Sequence, residues 1–282
     1  MKNCRLYINY AGHCLAKANH AVNGAPSIDI KFKALFALIE HPLKGWMLFD
    51  TGYTDRFYKA TKRFPNKIYA LITKVFITKN DELKTQLISI GIEPKDIKHI
   101  IISHFHADHI GGLRDFENAT IYCSKDAYRQ VKSISSFFAF SKGIIKSLLP
   151  EDIETRLKFI EEISTPNDDE IFGMTYDLFN DDTIEVYELP GHAAGQIGVR
   201  LQTEKAQYFL IADACWDERA YQQLALPHPI VKLFFDSWTA YKNTIYKLRA
   251  FHQKYPEVKI MPTHCETSTS KFINTEFDID AL

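Results

Sequence analysis

His104-Phe105-His106-Ala107-Asp108-His109 places three imidazoles and a carboxylate within six consecutive positions. At this histidine content, chance gives such a cluster on the order of once per thousand chains. In an extended segment alternate side chains share a face, so His104 and His106 can share one cation. A turn directly after them, eased by Gly111 and Gly112, would present Asp108 and His109 to a second position. Imidazole and carboxylate suit zinc, iron or manganese, and the cluster contains no thiolate. Taken singly, each histidine is an ordinary structural or surface residue. The spacing is what points to metal.

Three later positions extend the pattern. Gly191-His192 sets a histidine in a tight turn after a strand, with glycine allowing close backbone approach. Ile211-Ala212-Asp213 ends an apolar strand with a carboxylate, which is costly to bury without a cation or hydrogen-bond donors. Pro262-Thr263-His264 follows the last strand. Each of the three alone reads as well as a turn or cap. Alongside the first cluster they read as further ligands.

The order HxHxDH, Gly-His, strand-terminal Asp and late His resembles the metallo-β-lactamase superfamily. Leu48-Phe49-Asp50-Thr51-Gly52 is similar to that superfamily's early strand motif, and the likeness runs from Phe32 to His264. It implies an α/β layered fold, the αββα sandwich: two mixed β-sheets face to face, helices on the outer faces, the site along one edge. It also implies a dinuclear centre. His104, His106 and His192 would take one metal, and Asp108, His109 and His264 the other. Asp213 would bridge them, and Asp50 would orient a ligand histidine from behind. The implied cofactors are two divalent ions, zinc first, with iron or manganese as alternatives. Two cations beside one water lower its pKa and give hydroxide at neutral pH, which attacks a carbonyl or phosphoryl centre. Asp108 and Asp213 are the expected catalytic carboxylates, Asp108 also holding or shuttling a proton.

Within the superfamily, β-lactamases typically use a thiolate at the second metal. Here Asp213 stands there, and Cys215 reads as a packing residue. The flavin-dependent diiron branch carries a glutamate in the metal loop and a flavodoxin-like domain, neither of which is seen. The ribonuclease branch relies on a basic surface. The cations between Lys59 and Lys79 offer one, but read more simply as a solvated helix face. The remaining expectation is a hydrolase of an ester, lactone or thioester, most similar to the acyl-homoserine lactone lactonases. A glyoxalase II-like thioesterase and a phosphodiesterase or ribonuclease are the alternatives. A metal-stabilised binding module is the non-enzymatic one. Those lactonases often place a tyrosine shortly after the bridging aspartate; this chain has Trp216, whose indole donates but does not accept. The apolar segments Phe137 to Leu149 and Leu224 to Phe235 are the expected acyl pocket.

Stepwise alternation and turn residues supply the elements that hold these groups. Phe32 to His41 and Trp46 to Asp50 read as a hairpin around Pro42 and Gly45, and Asp81 to Ile90 as a helix stopped at Gly91. Ile97 to Ser103 is a β-branched run of the kind buried on both faces. Thr120 to Ser124 reads as a strand leading into a helix from Lys125. Thr183 to Leu189, Ile197 to Thr203, Gln207 to Ala212 and Val258 to Met261 read as further strands. His192, Asp213 and His264 each sit just beyond a strand end, where loops over a rigid sheet carry chemistry. Residues 53–80 and 133–150 fit less well and read as helices packed on the sheet, or as a lid or apolar wall over the site.

The chain has 282 residues, near the limit for one core, and reads as a single domain over 1–282. A net charge of −1 gives no reason to expect nucleic acid. Five scattered cysteines argue against a disulfide framework. No leader-like start or long apolar run is present, so the expectation is a cytoplasmic protein without a membrane span, acting on a small molecule. The many aromatic residues suit ordinary core packing or a homodimer interface.

Overall fold

The structure is a computed structural model and describes residues 3–273. One sheet contains β1 (Arg5–Lys17), β2 (Asp29–His41), β3 (Gly45–Phe49), β4 (Val75–Phe76), β5 (His99–Ile101), β6 (Thr120–Cys123) and β7 (Leu157–Phe159). Their order is β4-β1-β2-β3-β5-β6-β7. β1, β2 and β3 pair antiparallel, while β3, β5, β6 and β7 run parallel. The other sheet contains β8 (Thr165–Asp169), β9 (Gly173–Asp177), β10 (Ile184–Glu188), β11 (Ile197–Gln202), β12 (Gln207–Ala212) and β13 (Lys259–Pro262). It is ordered β13-β12-β11-β10-β9-β8 and is antiparallel except for the β12–β13 pair. Both sheets are mixed.

Side-chain alternation along the strands decides the layers. From β2, Leu35, Ala37 and Ile39 face inward and join Val199, Leu210 and Met261 of the opposite sheet. The intervening Phe36 and Leu38 face outward, where Leu83, Leu87 and Val131 of two helices cover them. On the far side, Phe209 and Ile211 of β12 meet Tyr241, Ile245, Leu248 and Phe251 of the helix Trp238–Lys254. The result is the αββα sandwich.

The helix Trp238–Lys254 has buried residues at 241, 244, 245, 248 and 251, one stripe at helical spacing. Ser237 caps it, its hydroxyl accepting the Ala240 N–H at 3.3 Å. Sequence reading assigned no helix here and no strands at β1, β8 or β9. β8 reads Thr-Pro-Asn-Asp-Asp and lies exposed on a sheet edge, so it carries no apolar alternation to detect.

The two poorly fitting stretches only partly follow expectation. Residues 53–80 form two short helices, Arg56–Ala60 and Asn66–Ile72, and then β4, which pairs with β1 at the sheet edge. Residues 133–150 form no α-helix beyond the end of Lys125–Ser133. They hold the 3-10 turns Ala139–Lys142 and Lys146–Leu148, separated by Gly143 at φ +71. Ile144, Ile145 and Leu148 bury themselves in the outer layer while Phe137 and Phe138 face solvent. No described helix is long and apolar enough to cross a membrane. All five cysteines are free and buried.

Candidate metal centre

β5 ends at Ile101, and the chain then runs extended through His106 before the single helical turn Ala107–Ile110. That step brings His104 and His106 together, their ring centroids 4.4 Å apart, and turns Asp108 and His109 to another side. The expected turn is therefore present. Gly111 and Gly112 serve it by close packing: an added Cβ would lie 2.6 Å from the Gly52 carbonyl oxygen or 2.9 Å from that of Thr51. Thr51 fastens the same contact, its hydroxyl donating to the His109 carbonyl at 2.8 Å.

The remaining groups arrive from the second sheet. β10 leads to Gly191, at φ +134, where a Cβ would fall 2.2 Å from the Tyr241 backbone nitrogen. The helix start is tied to this turn, since Ser237 N–H donates to the Gly191 carbonyl and Asp236 N–H to that of His192. β12 ends at Ala212, which takes a left-handed φ of +49 and aims the next residue, Asp213, into the site. β13 runs parallel beside it and delivers His264.

The structure gathers all seven residues into two groups. Nitrogen atoms of His104, His106 and His192 lie within 4.8 Å of one another, and so do ligand atoms of Asp108, His109, Asp213 and His264. His106 Nδ1 and His192 Nε2 face each other at 3.0 Å. Asp213 touches both groups. Its Oδ2 is 3.3 Å from His192 Nε2 and 3.1 Å from His264 Nε2, and its Oδ1 is 3.5 Å from His109 Nε2. Asp108 Oδ2 lies 3.4 Å from His264 Nε2.

The donor set fits divalent metal on the structure's own terms. His104 Nε2, His109 Nε2 and Asp213 Oδ1 are buried, converge on this point and have no hydrogen-bond partner. Buried polar atoms are rarely left in that state, and a cation would satisfy all three. Behind them the outer nitrogens are held. Asp50 Oδ2 accepts from His109 Nδ1 at 2.7 Å, and Ser103 N–H and Oγ–H donate to the two Asp50 oxygens at 2.8 and 2.7 Å. Ser103 Oγ also meets His104 Nδ1 at 3.0 Å. His264 Nδ1 donates to the Lys33 carbonyl at 2.9 Å, and its ring stacks on Phe32.

Burial pushes the His104 pKa well below its ordinary value, that of His106 to about 4 and that of His192 to about 3. These three imidazoles are neutral at pH 7, as ligands must be. Burial also opposes charge on the second group, but mutual attraction overcomes it there. Asp108 falls to about 2 beside His109 and His264, and Asp213 falls well below the carboxylate range beside His264 and His109. His109 rises well above its ordinary value beside Asp108, Asp50 and Asp213, and His264 rises beside Asp213.

The roles of three neighbours were not legible in the sequence. Trp216 donates its indole N–H to Asp213 Oδ2 at 3.1 Å. Phe235 packs edge-on against His192 and Trp216. Gly143 sits on His106, so close that a Cβ would lie 2.5 Å from the imidazole Cδ2. The first two lie near positions already marked as apolar or unusual; nothing in the local sequence singles out Gly143. Cys215 is buried in the outer layer with Tyr241 and Ile245 and stands outside both ligand groups.

Comparison with known proteins bears on the family and the fold. The family model of the metallo-beta-lactamase superfamily matches residues 34–214. The N-acyl homoserine lactonase AttM of Agrobacterium fabrum is 27% identical over 261 residues, covering 90% of this chain and 91% of its own. AttM of Azorhizobium caulinodans is 28% identical, covering 80% and 82%. An N-acyl homoserine lactone hydrolase solved with N-hexanoyl-L-homoserine at its catalytic metal centre superposes with a TM-score of 0.73. It is 20% identical and covers 96% of this chain and 97% of that one. AidC, a dizinc quorum-quenching lactonase, superposes at 0.62 with 17% identity, covering 94% and 89%. The two structural likenesses establish the fold. With more than half the chain matched by the family model and that fold on its own strands, this chain belongs to the metallo-β-lactamase superfamily and is one of its hydrolases.

Proposed function

We propose that the chain opens a lactone ring bearing an acyl side chain, of the N-acyl homoserine lactone class, at a dinuclear metal centre. The observation that carries this reading is the meeting of two complete ligand groups at Asp213. Relatives named N-acyl homoserine lactonase that align over nine-tenths of the chain support the substrate class.

His104, His106 and His192 would hold one ion and Asp108, His109 and His264 the other, with Asp213 between them. Zinc is the first choice, supported by the dizinc neighbour AidC, with iron or manganese as alternatives. Ions bound there would supply Lewis-acid polarisation of a carbonyl and acidification of a water. The chain's own groups do the rest. Asp50 and Ser103 fix the ring planes of His109 and His104. Asp108 has the most accessible side chain of the three carboxylates, Asp50, Asp108 and Asp213, and is the group that takes a proton from the attacking water. It then returns the proton to the departing ring oxygen. Phe235 and Trp216 form an apolar wall beside His192. Phe235 also packs on Trp238, which lines a groove of about 450 Å³ with Leu224, Leu226, Pro227 and Pro229. That volume is of the size an acyl chain needs, and this groove, lined also by Asn23 and Lys232, is where we assign the acyl chain. Phe137 and Phe138, from the other expected pocket segment, face solvent.

The test is hydrolysis by metal-quantified protein across lactones, thioesters, aryl esters and phosphodiesters, with Asp108→Asn alongside. Acyl lactone turnover that falls about a hundredfold or more in a mutant that still binds metal supports the reading. Turnover confined to thioesters or phosphodiesters moves the function to those branches. Silence on every substrate with both ions bound returns it to a binding module.

A further inference from the structure

Residues 56–78 contain six Lys and Arg and no Asp or Glu, in a chain whose net charge is −1. Of these, Lys59, Lys62, Arg63 and Lys67 are exposed and make no ion pair among the described residues. Large apolar side chains are exposed between them: Phe64 is 64% accessible and Leu71 67%, with Ile68 and Ile72 alongside. The 133–150 segment continues this face. Phe137 meets Phe64 edge-on at 5.4 Å and Phe138 at 5.1 Å, and the helix Asn66–Ile72 packs on the turn Ala139–Lys142. Lys142 and Lys146, half-exposed, flank it, and residues 133–150 likewise hold no acidic group. The inner sides of the same segments are well packed, with Phe57, Ala139, Ile144 and Ile145 buried. The exposed side chains are therefore a second face of an ordered unit.

We infer that this face docks on a bilayer surface rich in anionic phospholipid. Phe64, Leu71, Ile72, Phe137 and Phe138 enter the boundary between headgroups and acyl chains, and the cations meet the phosphates. Charge selects the occupant. A second copy bound through the same face would be related by a two-fold axis and would set these cations against themselves. A single-stranded nucleic acid would stack its bases on open ring faces, but Phe64, Phe137 and Phe138 pack edge to face on one another and share the surface with aliphatic Ile68, Leu71 and Ile72. Gly143, from the inner side of this unit, rests on His106, so docking brings the metal centre directly beneath the membrane-facing segment. The inference does not depend on which ester the site hydrolyses.

The full chain should be sedimented with vesicles of pure phosphatidylcholine and with vesicles containing about one-third phosphatidylglycerol. The expected result is binding to the anionic vesicles alone, reversed by added salt as screening shortens. Phe64→Ser with Phe137→Ser, and separately Lys62→Glu with Lys67→Glu, should each raise the lipid needed for half-binding about tenfold or more. An unchanged thermal midpoint shows that each variant is folded. Equal binding to both vesicles, or to neither, overturns the inference. So does a dimer that the Phe64→Ser, Phe137→Ser variant converts to monomer, or binding to an RNA oligomer without binding to vesicles.

Discussion

Asp50 accepts from His109 Nδ1 at 2.7 Å while its backbone sits in the left-handed region at φ +59, a conformation that Asp and Asn tolerate. Asp50→Asn therefore keeps the backbone but removes the charge behind His109 and replaces one of the two acceptor oxygens with an NH2 donor. We expect metal affinity to drop about tenfold or more, measured by competition with a chromophoric chelator, with little change in the fold. Trp216 acts on the other carboxylate. Its indole N–H holds Asp213 Oδ2, so the group standing where the resemblance implied a tyrosine is turned toward the candidate ligands. Trp216→Phe keeps the ring's contacts with Phe32 and Phe235 but loses that bond. Metal affinity should fall by about tenfold, and wild-type affinity retained would show the hydrogen bond to be incidental. The seven candidate ligand positions were readable because imidazoles and carboxylates at short spacing are rare. Ser103, Trp216 and Lys33 were not, because they act through one hydroxyl, one indole N–H and one backbone carbonyl, whose targets lie up to 231 residues away.

At the scale of elements, the turn carrying His192 and the helix Trp238–Lys254 are one packed unit. Gly191→Ala would drive a methyl into the backbone of Tyr241, with contacts of 2.2 and 2.3 Å that no rotamer relieves. A loss of about 3 kcal/mol or more is expected in chemical denaturation, together with loss of the His192 ligand position. A neutral outcome would mean that the helix can slide. Gly143→Ala is the contrasting case, since it presses on the His106 ring near the surface of the fold. It should weaken metal binding more than it lowers stability. The hairpin β2–β3 and the strands β5, β6, β10, β11 and β12 were legible from β-branched runs and turn chemistry. β1 was not, since its side chains alternate irregularly around a bulge between Tyr10 and His13. The helix Trp238–Lys254 was missed because aromatic and cationic residues blur its apolar stripe, although the spacing is present.

For the whole molecule, the two ligand groups hold protons differently. In the metal-free protein burial holds the pKa values of His104, His106 and His192 well below the ordinary imidazole value, so an ion entering that group would displace no proton from them at neutral pH. The His109 pKa is raised well above its ordinary value and that of His264 is raised too, so an ion entering this group would have to expel the protons they hold. Affinity for that ion should therefore rise with pH from about 6.5 upward, and titration calorimetry in buffers of different ionisation heat should show proton release on the second step. Release on the first step instead would reverse this assignment. Removing both ions with a chelator should lower the thermal midpoint by about 5–10 °C.

His264 hangs its Nδ1 proton on the carbonyl of Lys33, joining the last strand of one sheet to the second strand of the other. During synthesis, every other ligand has left the ribosome while this one is still inside it. A nascent chain that ends short of β13 offers the His104, His106 and His192 group but an open second group. If each group holds an ion as proposed, loading of the second would wait on translation past His264, and a chain stalled before it would hold at most the first.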